Sequence, residues 1–256
     1  MLRPRIIPCL LIHQGGLVKT VRFKDPKYVG DPLNAVLIFN EKKVDELIVA
    51  DIDATAQGLE PNYSLIASLA KECRMPLCYV GGIKTPEQVE RIISLGVEKV
   101  GISSAALSNP DLIQQSAQRV GNQSIVVVLD VKKTGLLKKS YTVFTHNGTV
   151  NTQLSPVAFA KQAQACGAGE ILVNAIDQDG MMQGYDLDLI ASVRAVVDTP
   201  MTVLGGAGSH HDLRLLIDRF GIIGAAAGSL FVFKGKYRAV LIQYPDESQK
   251  QAIFTA

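Results

Sequence analysis

The stretch VGGIKTPEQVERIISLGVEKVGISSAAL at residues 80–107 returns at 204–231 as LGGAGSHHDLRLLIDRFGIIGAAAGSLF, an offset of 124. DIDATAQG at 51–58 returns as AIDQDGMMQG at 175–184 with an insertion. The register barely drifts: Asp53 to Asp177 and Gly82 to Gly206 are 124 apart, and Ser104 to Ser229 is 125. A period of this length restricts architecture more than any local pattern, because each copy must present the same faces to the same kind of neighbour. Within each copy, short β-branched runs alternate with helical patterns. IIPCLLIH, ELIVADI, PLCYV and KVGIS in the first half are answered by SIVVVLD, EILVNAI, MTVLG and IIGAAAG in the second. Eight such runs with helices between them predict a parallel sheet closed on itself, a single (β/α)8 TIM barrel of the α/β class with an internal half-barrel repeat. One domain over residues 1–256 is expected, with half-barrels at about 1–120 and 121–245. A chain of 256 residues with 47% hydrophobic content can fill such a core.

Helix starts are written into the chain. Thr85-Pro86-Glu87-Gln88 offers an N-cap, a proline at the first helical position and a capping-box glutamine, and Val89, Ile92 and Ile93 then line one face. Asn109-Pro110 repeats the device before Leu112 and Ile113, and Ser209 with Asp212 is a looser version. Charge adds exclusions. The 26 basic and 24 acidic residues nearly cancel, and the notable basic cluster, Lys132, Lys133, Lys138 and Lys139, falls in one expected loop, so nucleic acid is not an expected partner. Cys9, Cys73, Cys78 and Cys166 are scattered and form no CxxC pair, which favours reduced thiols in a cytoplasmic protein. No apolar run is long enough to cross a bilayer, and the N-terminal run is broken by Pro4 and Pro8, so neither a membrane segment nor a signal peptide is expected.

The repeat sets Leu11 against Asp130. In a parallel barrel the C-terminal strand ends surround the active site, so both positions face the chemistry. A symmetric barrel would offer two carboxylates, one to accept and one to donate a proton, a pairing suited to ring closure or isomerisation. This chain keeps one, Asp130, whose dull alternative is a helix cap. Gly81-Gly82 and Gly205-Gly206 follow strands and let backbone amides approach an anion, while Ser103-Ser104 and Gly228-Ser229 follow the next strands with hydroxyls. A lone Gly-Gly is ordinarily a tight turn. Two copies at matched distance point to phosphate binding at both ends of an elongated ligand. Lys19 is ambiguous in a long loop, and in each of the pairs Asp51/Asp53 and Asp177/Asp179 alternation along a strand would turn one residue inward. Arg5, Glu46, Lys99 and Glu170 begin four strands. Such charges at a barrel's lower end ordinarily serve stability, although two bases and two acids could also form a polar gate. His210-His211 reads as an exposed helix start, and neither a metal nor a cofactor is expected.

RIIPCL, VGGI with KVGISSAALSNP, VFTHNGTVNT, GAGEIL, AIDQDGMMQGYD and GGAG together resemble the cyclase subunit of imidazole glycerol phosphate synthase along essentially the whole chain. The resemblance implies a heterodimer with a glutamine amidotransferase docked at the lower face. Ammonia would pass through the barrel to the top, where a ribulosyl-aminoimidazole carboxamide bisphosphate is cleaved and cyclised. It implies a gate at Arg5, Glu46, Lys99 and Glu170, catalysis at Asp130, phosphate binding at Lys19, and substrate binding by Asp179 and Gly180. Four positions depart from the family pattern: Leu11 for the first catalytic aspartate, Val80 for a glycine, Leu204 for a serine and Met181 for a threonine. Each is a change to an apolar side chain. The pattern therefore also fits a diverged paralogue that delivers ammonia for an amidino group on a bacterial surface sugar, or a subunit that only docks and activates a glutaminase.

Overall fold

The computed structural model describes residues 3–135 and 140–255. Lys138 and Lys139 of the basic cluster lie outside them. The barrel strands are β1 (Arg5–His13), β2 (Leu47–Asp51), β3 (Leu77–Val80), β4 (Lys99–Ile102), β5 (Ile125–Thr134), β6 (Glu170–Ala175), β7 (Met201–Leu204) and β8 (Gly224–Ala227). They pair in parallel in that order, and β8 returns to β1 through Arg5 opposite Gly224. The two halves also join where Val100 of β4 lies opposite Ile125 of β5, and Glu170 of β6 lies opposite Val126 of β5 within the second half. The closed (β/α)8 barrel expected from the repeat is therefore present, with helices between its strands.

Alternation along each strand divides the core in two. Ile6, Leu10 and Ile12 of β1 pack with helix residues such as Phe39, Leu69 and Ile92 in the outer layer. Ile7 and Cys9 instead join Ile48, Cys78, Val126, Val128, Leu172 and Ala226 in a separate cluster inside the barrel. Each fully buried aliphatic side chain contributes about 1.5–3 kcal/mol of transfer free energy, so the outer layer supplies most of the stability and the smaller inner cluster gives the barrel an apolar interior. Thr85 with Gln88, and Ser209 with Asp212, form capping boxes at matched positions in the two halves. Asn109 does not cap the next helix. Its backbone N–H closes the preceding short helix Ser104–Ser108, which pushes Pro110 to the cap position of Asp111–Val120.

Both halves carry an antiparallel excursion over the upper rim. β1 pairs with Gly16–Val21, which pairs on with Lys24–Gly30. β5 pairs with Ser140–Thr145, which meets Val150–Asn151. The first rung of one ladder is Leu11 opposite Val18, and that of the other is Asp130 opposite Phe144, so the two residues hold equivalent places in three dimensions. Three expectations change here. Lys19 is not in a loop but on Gly16–Val21 and is buried. Lys132 and Lys133 belong to β5, because the strand continues past the rim to pair with its excursion. Asp51 and Asp53 do not alternate on a strand: the Asp51 carboxylate accepts the N–H groups of Asp53 and Ala54, and this cap turns the chain into the helix Ile52–Ala56.

At the lower end the helix Glu247–Phe254 is tied to the barrel. Lys250 donates to Asp45 at 2.9 Å, and the Tyr244 hydroxyl donates to the Ile6 carbonyl at 2.8 Å. Among the described residues no helix is long and apolar enough to cross a membrane.

Candidate active site

Arg5, Glu46, Lys99 and Glu170 meet in one ring at the lower mouth of the lumen. Arg5 donates to Glu46 and, at 2.7 Å, to Glu170; Lys99 donates to Glu46 at 2.9 Å and to Glu170 at 2.8 Å. Each base bridges both acids, so the ring is electrically closed. Burial disfavours every charge in it, yet for Glu170 the attraction of Arg5 and Lys99 wins and holds its carboxyl well below the usual range. Glu170 and Glu46 likewise outweigh burial at Arg5 and Lys99 and keep both cationic.

Above the ring the barrel interior is packed with the apolar inner cluster, and a cavity of about 120 Å3 opens over it at the upper strand ends. Asp130, partly buried in the cavity wall, accepts a hydrogen bond from the Asn174 amide at 2.9 Å. Burial, reinforced by the charge of Asp179, pushes its carboxyl up to about 6 despite the opposing Asn174 and Ser103 bonds. A carboxyl in that range can both accept and return a proton near neutrality. Burial also pushes the Cys9 thiol up to about 12, which leaves it neutral.

The glycine pairs serve the turns themselves. Gly81 and Gly205 have positive φ, and a Cβ on either would come within 2.5 Å of the Asp51 carbonyl or 2.6 Å of the Ala175 carbonyl. These tight passes also bare the backbone toward the cavity, where Gly81, Gly82, Ser103 and Ser104 line one side. On the other side Gly180, Gly205, Gly206, Gly228, Ser229 and Lys19 line a small recess. Ser229 Oγ is buried there without a hydrogen-bond partner. Lys19 lies across Gly228, where a Cβ would stand 2.6 Å from its Nζ. Asp179 Oδ1 is 3.4 Å from that Nζ, while Oδ2 accepts from the Thr20 hydroxyl at 2.6 Å. Asp179 therefore anchors the first excursion. Asp177 accepts the Lys133 N–H at 2.8 Å, and Asp53 accepts that of Gln14 at 2.7 Å, so these two brace loops.

Sequence reasoning passed over Asn174, Thr20, His146 and Asn147, all but the first on excursions. Asn174 had a signal: it lies four residues beyond Glu170 on β6, an even step that keeps it facing inward. The second excursion crosses the cavity mouth. Tyr141 and Lys133 bind Asp186 at 2.8 and 2.9 Å, and Asn147 donates to the Ile52 carbonyl at 2.6 Å on the opposite half.

Leu11, Val80 and Leu204, three of the four departures, converge. Each packs on the top of the inner cluster, and all three line the cavity that holds Asp130. Val80 fills the space over Gly101, where a Cβ would lie 2.5 Å from its Cγ2. Met181 sits in the turn after Gly180, its N–H bonded to the Gln178 carbonyl, and is not among the described lining residues.

Comparison with known proteins places this geometry. A family described as histidine biosynthesis protein matches residues 5–238. A Leptospira interrogans protein provisionally named imidazole glycerol phosphate synthase subunit HisF is 57% identical over 254 residues, 99% of this chain and all of that protein. A Vibrio vulnificus protein, provisionally named as subunit hisF3, is 59% identical over 251 residues, 98% of this chain and 96% of its own. The Exiguobacterium sibiricum protein named imidazole glycerol phosphate synthase subunit HisF is 40% identical over 231 residues, 90% of this chain and 91% of its own. The chain therefore belongs to the histidine biosynthesis protein family, among the HisF-type barrel subunits.

Proposed function

We propose that this chain is the ammonia-using barrel subunit of an imidazole glycerol phosphate synthase-type complex. The observation that carries the reading is the stacking, along the barrel interior, of a closed charged ring, an apolar inner cluster and a cavity holding one titratable carboxyl. A glutaminase docked on the lower face would release ammonia at the ring of Arg5, Glu46, Lys99 and Glu170. Neutral ammonia crosses an apolar lumen at little cost, whereas ammonium would lose its hydration. At the top, Asn174 Oδ1 is buried and unpartnered, an acceptor suited to an incoming N–H group. The bisphosphate is held at its two ends by the Gly82/Ser104 side and by the Gly206/Ser229/Lys19 recess. Asp130 takes and returns the protons as it is cleaved to imidazole glycerol phosphate and the aminoimidazole carboxamide ribotide. The complex works in the cytoplasm, where Cys9 and Cys78 stay reduced.

Leu11 withholds the second carboxylate, so cyclisation rests on Asp130 alone and runs slowly. A second reading, delivery of ammonia to a different acceptor, is favoured by the convergence of Leu11, Val80 and Leu204 on the cavity wall. Turnover of the bisphosphate with ammonium chloride, followed through the imidazole product, separates the two. The first reading expects measurable turnover that rises in Leu11→Asp, roughly 10²–10⁴-fold if a full acid-base partner is regained. Binding of the bisphosphate without product in either form would leave the changed acceptor standing.

A further inference from the structure

Strand register links the ring to the cavity. The inward residues of β6 are Glu170 in the ring, Leu172 in the inner cluster and Asn174 at the cavity, and the ladder sets them opposite Val126, Val128 and Asp130 of β5. At about 3.3 Å per residue, Asn174 stands about 13 Å along the strand from Glu170. Ser103, four residues beyond the ring residue Lys99, extends the polar row and bonds Asp130. In the same layer Leu11, Ala50, Val80 and Leu204 form an apolar collar on β1, β2, β3 and β7. Polar groups at the top of the inner cluster therefore collect on one side, with Asp130 and Asn174 as direct neighbours.

The pair is held in one sense. Asn174 Nδ2 donates to Asp130 Oδ1 at 2.9 Å, and Asn174 Oδ1 is left buried with no partner among the described residues, on a side chain only 7% exposed. An acceptor in that state wants a donor. The other ionisable groups of the cavity are engaged or neutral: Lys19 lies 3.4 Å from Asp179, Asp51 caps Asp53 and Ala54, His146 Nδ1 is 3.0 Å from Thr145 Oγ, and Cys9 keeps its proton. We infer that Asp130 and Asn174 Oδ1 form an ammonia-binding site, two acceptors that hold ammonia or ammonium by its N–H groups where the apolar interior ends. This rests on the ammonia-using reading of the barrel and gives Asn174 a part in it. Water bonded to both acceptors would leave two lone pairs facing the collar; ammonium has none, and ammonia keeps only the pair that attacks. Ammonia meeting a protonated Asp130 takes that proton on its lone pair, giving a carboxylate and an ammonium with no change in net charge. Returning the proton to Asp130 frees the lone pair for the acceptor.

The test follows the Asp130 carboxyl by NMR in the whole protein labelled at its aspartate carboxyls, the signal being assigned by its absence in Asp130→Asn. Its titration midpoint, about 6 in the free protein, should fall by about one unit in saturating ammonium chloride, a tenfold preference of the ligand for the ionised form. Potassium or tetramethylammonium chloride at the same ionic strength should leave it in place. Asn174→Leu and Asn174→Ala should each lose the ammonium shift, read against the variant's own ligand-free midpoint. No shift in the wild type at hundreds of millimolar ammonium overturns the site, whatever the turnover. An equal shift with potassium, which donates no hydrogen bond, also overturns it, as does an ammonium shift that survives in both variants. Turnover of the bisphosphate is scored separately: ammonium binding without turnover upholds this site and removes the cyclase reading.

Discussion

At the lower end of the lumen four ionised side chains cancel one another within a single ring, while at the upper end one carboxyl faces three aliphatic side chains. The two ends are built from the same strands. Arg5 and Leu11 share β1, and Glu170 and Asn174 share β6. They differ in where the compensation for burial comes from. Glu170 draws it from Arg5 and Lys99, present in every state of the protein, so the ring stays charged with or without a ligand. Among the described residues Asp130 has the neutral Asn174 amide and Ser103 hydroxyl to set against burial, so its proton responds to pH and to whatever enters the cavity. Internal pairing produces a fixed structure, and its lack produces a group available for chemistry.

The largest way to break this comparison is Asp130→Asn. If the upper carboxyl carries the proton transfers, ammonium-dependent turnover should fall by roughly 10²–10⁴-fold, and a fall of less than about threefold would return Asp130 to the class of wall residues. At the lower end the corresponding change is Glu170→Gln, which leaves Arg5 and Lys99 sharing one acid. Breaking a buried pair in this way costs about 3–5 kcal/mol, to be read from denaturant unfolding. A loss within the range of exposed pairs, about 0–1 kcal/mol, would mean that water reaches the ring.

A smaller effect sharpens the contrast, because the two ends should respond to pH with opposite sign. The Glu170 carboxyl is held below its ordinary range, so its stabilisation is present above about pH 4.3 and is lost as the solution is acidified through the depressed value. Asp130 retains its proton up to about 6 when folded, and releases it near 3.9 when unfolded. Across that interval the folded state binds more protons, so this group's contribution falls as pH rises and stays low above it. Asp130→Asn should therefore be more stable than wild type at pH 8, by roughly 1–3 kcal/mol, and equal to it at pH 4. Melting curves of the two proteins at both pH values decide the matter.

The barrel was legible because the repeat and the alternation of strands each demanded it independently, and the pairing of Leu11 with Asp130 survived into three dimensions as the first rungs of two excursions. Lys19 was illegible for a physical reason. Only the pairing of Gly16–Val21 with Lys24–Gly30, where Lys19 lies opposite Lys27, and closure over Gly228 withdraw it from solvent, and neither leaves a mark on a segment flanked by glycine and charge. Asp51 misled through a local competition: its carboxylate captures two N–H groups and ends the strand that alternation would have prolonged. The apolar collar stood between these cases. Val80 and Leu204 were visible as departures at matched positions, but their meeting with Leu11 exists only once β1, β3 and β7 stand around one lumen.

The second excursion crosses the mouth with unequal attachments. Tyr141 and Lys133 fasten one side to Asp186, and Asn147 reaches the Ile52 carbonyl on the other. The Asp186 side combines a charged pair with a hydroxyl bond, whereas the Ile52 side rests on one neutral hydrogen bond, worth about 1 kcal/mol net. The cover is thus hinged by its energetics: whatever enters the cavity meets the weaker resistance at Asn147, on the side of the first half-barrel.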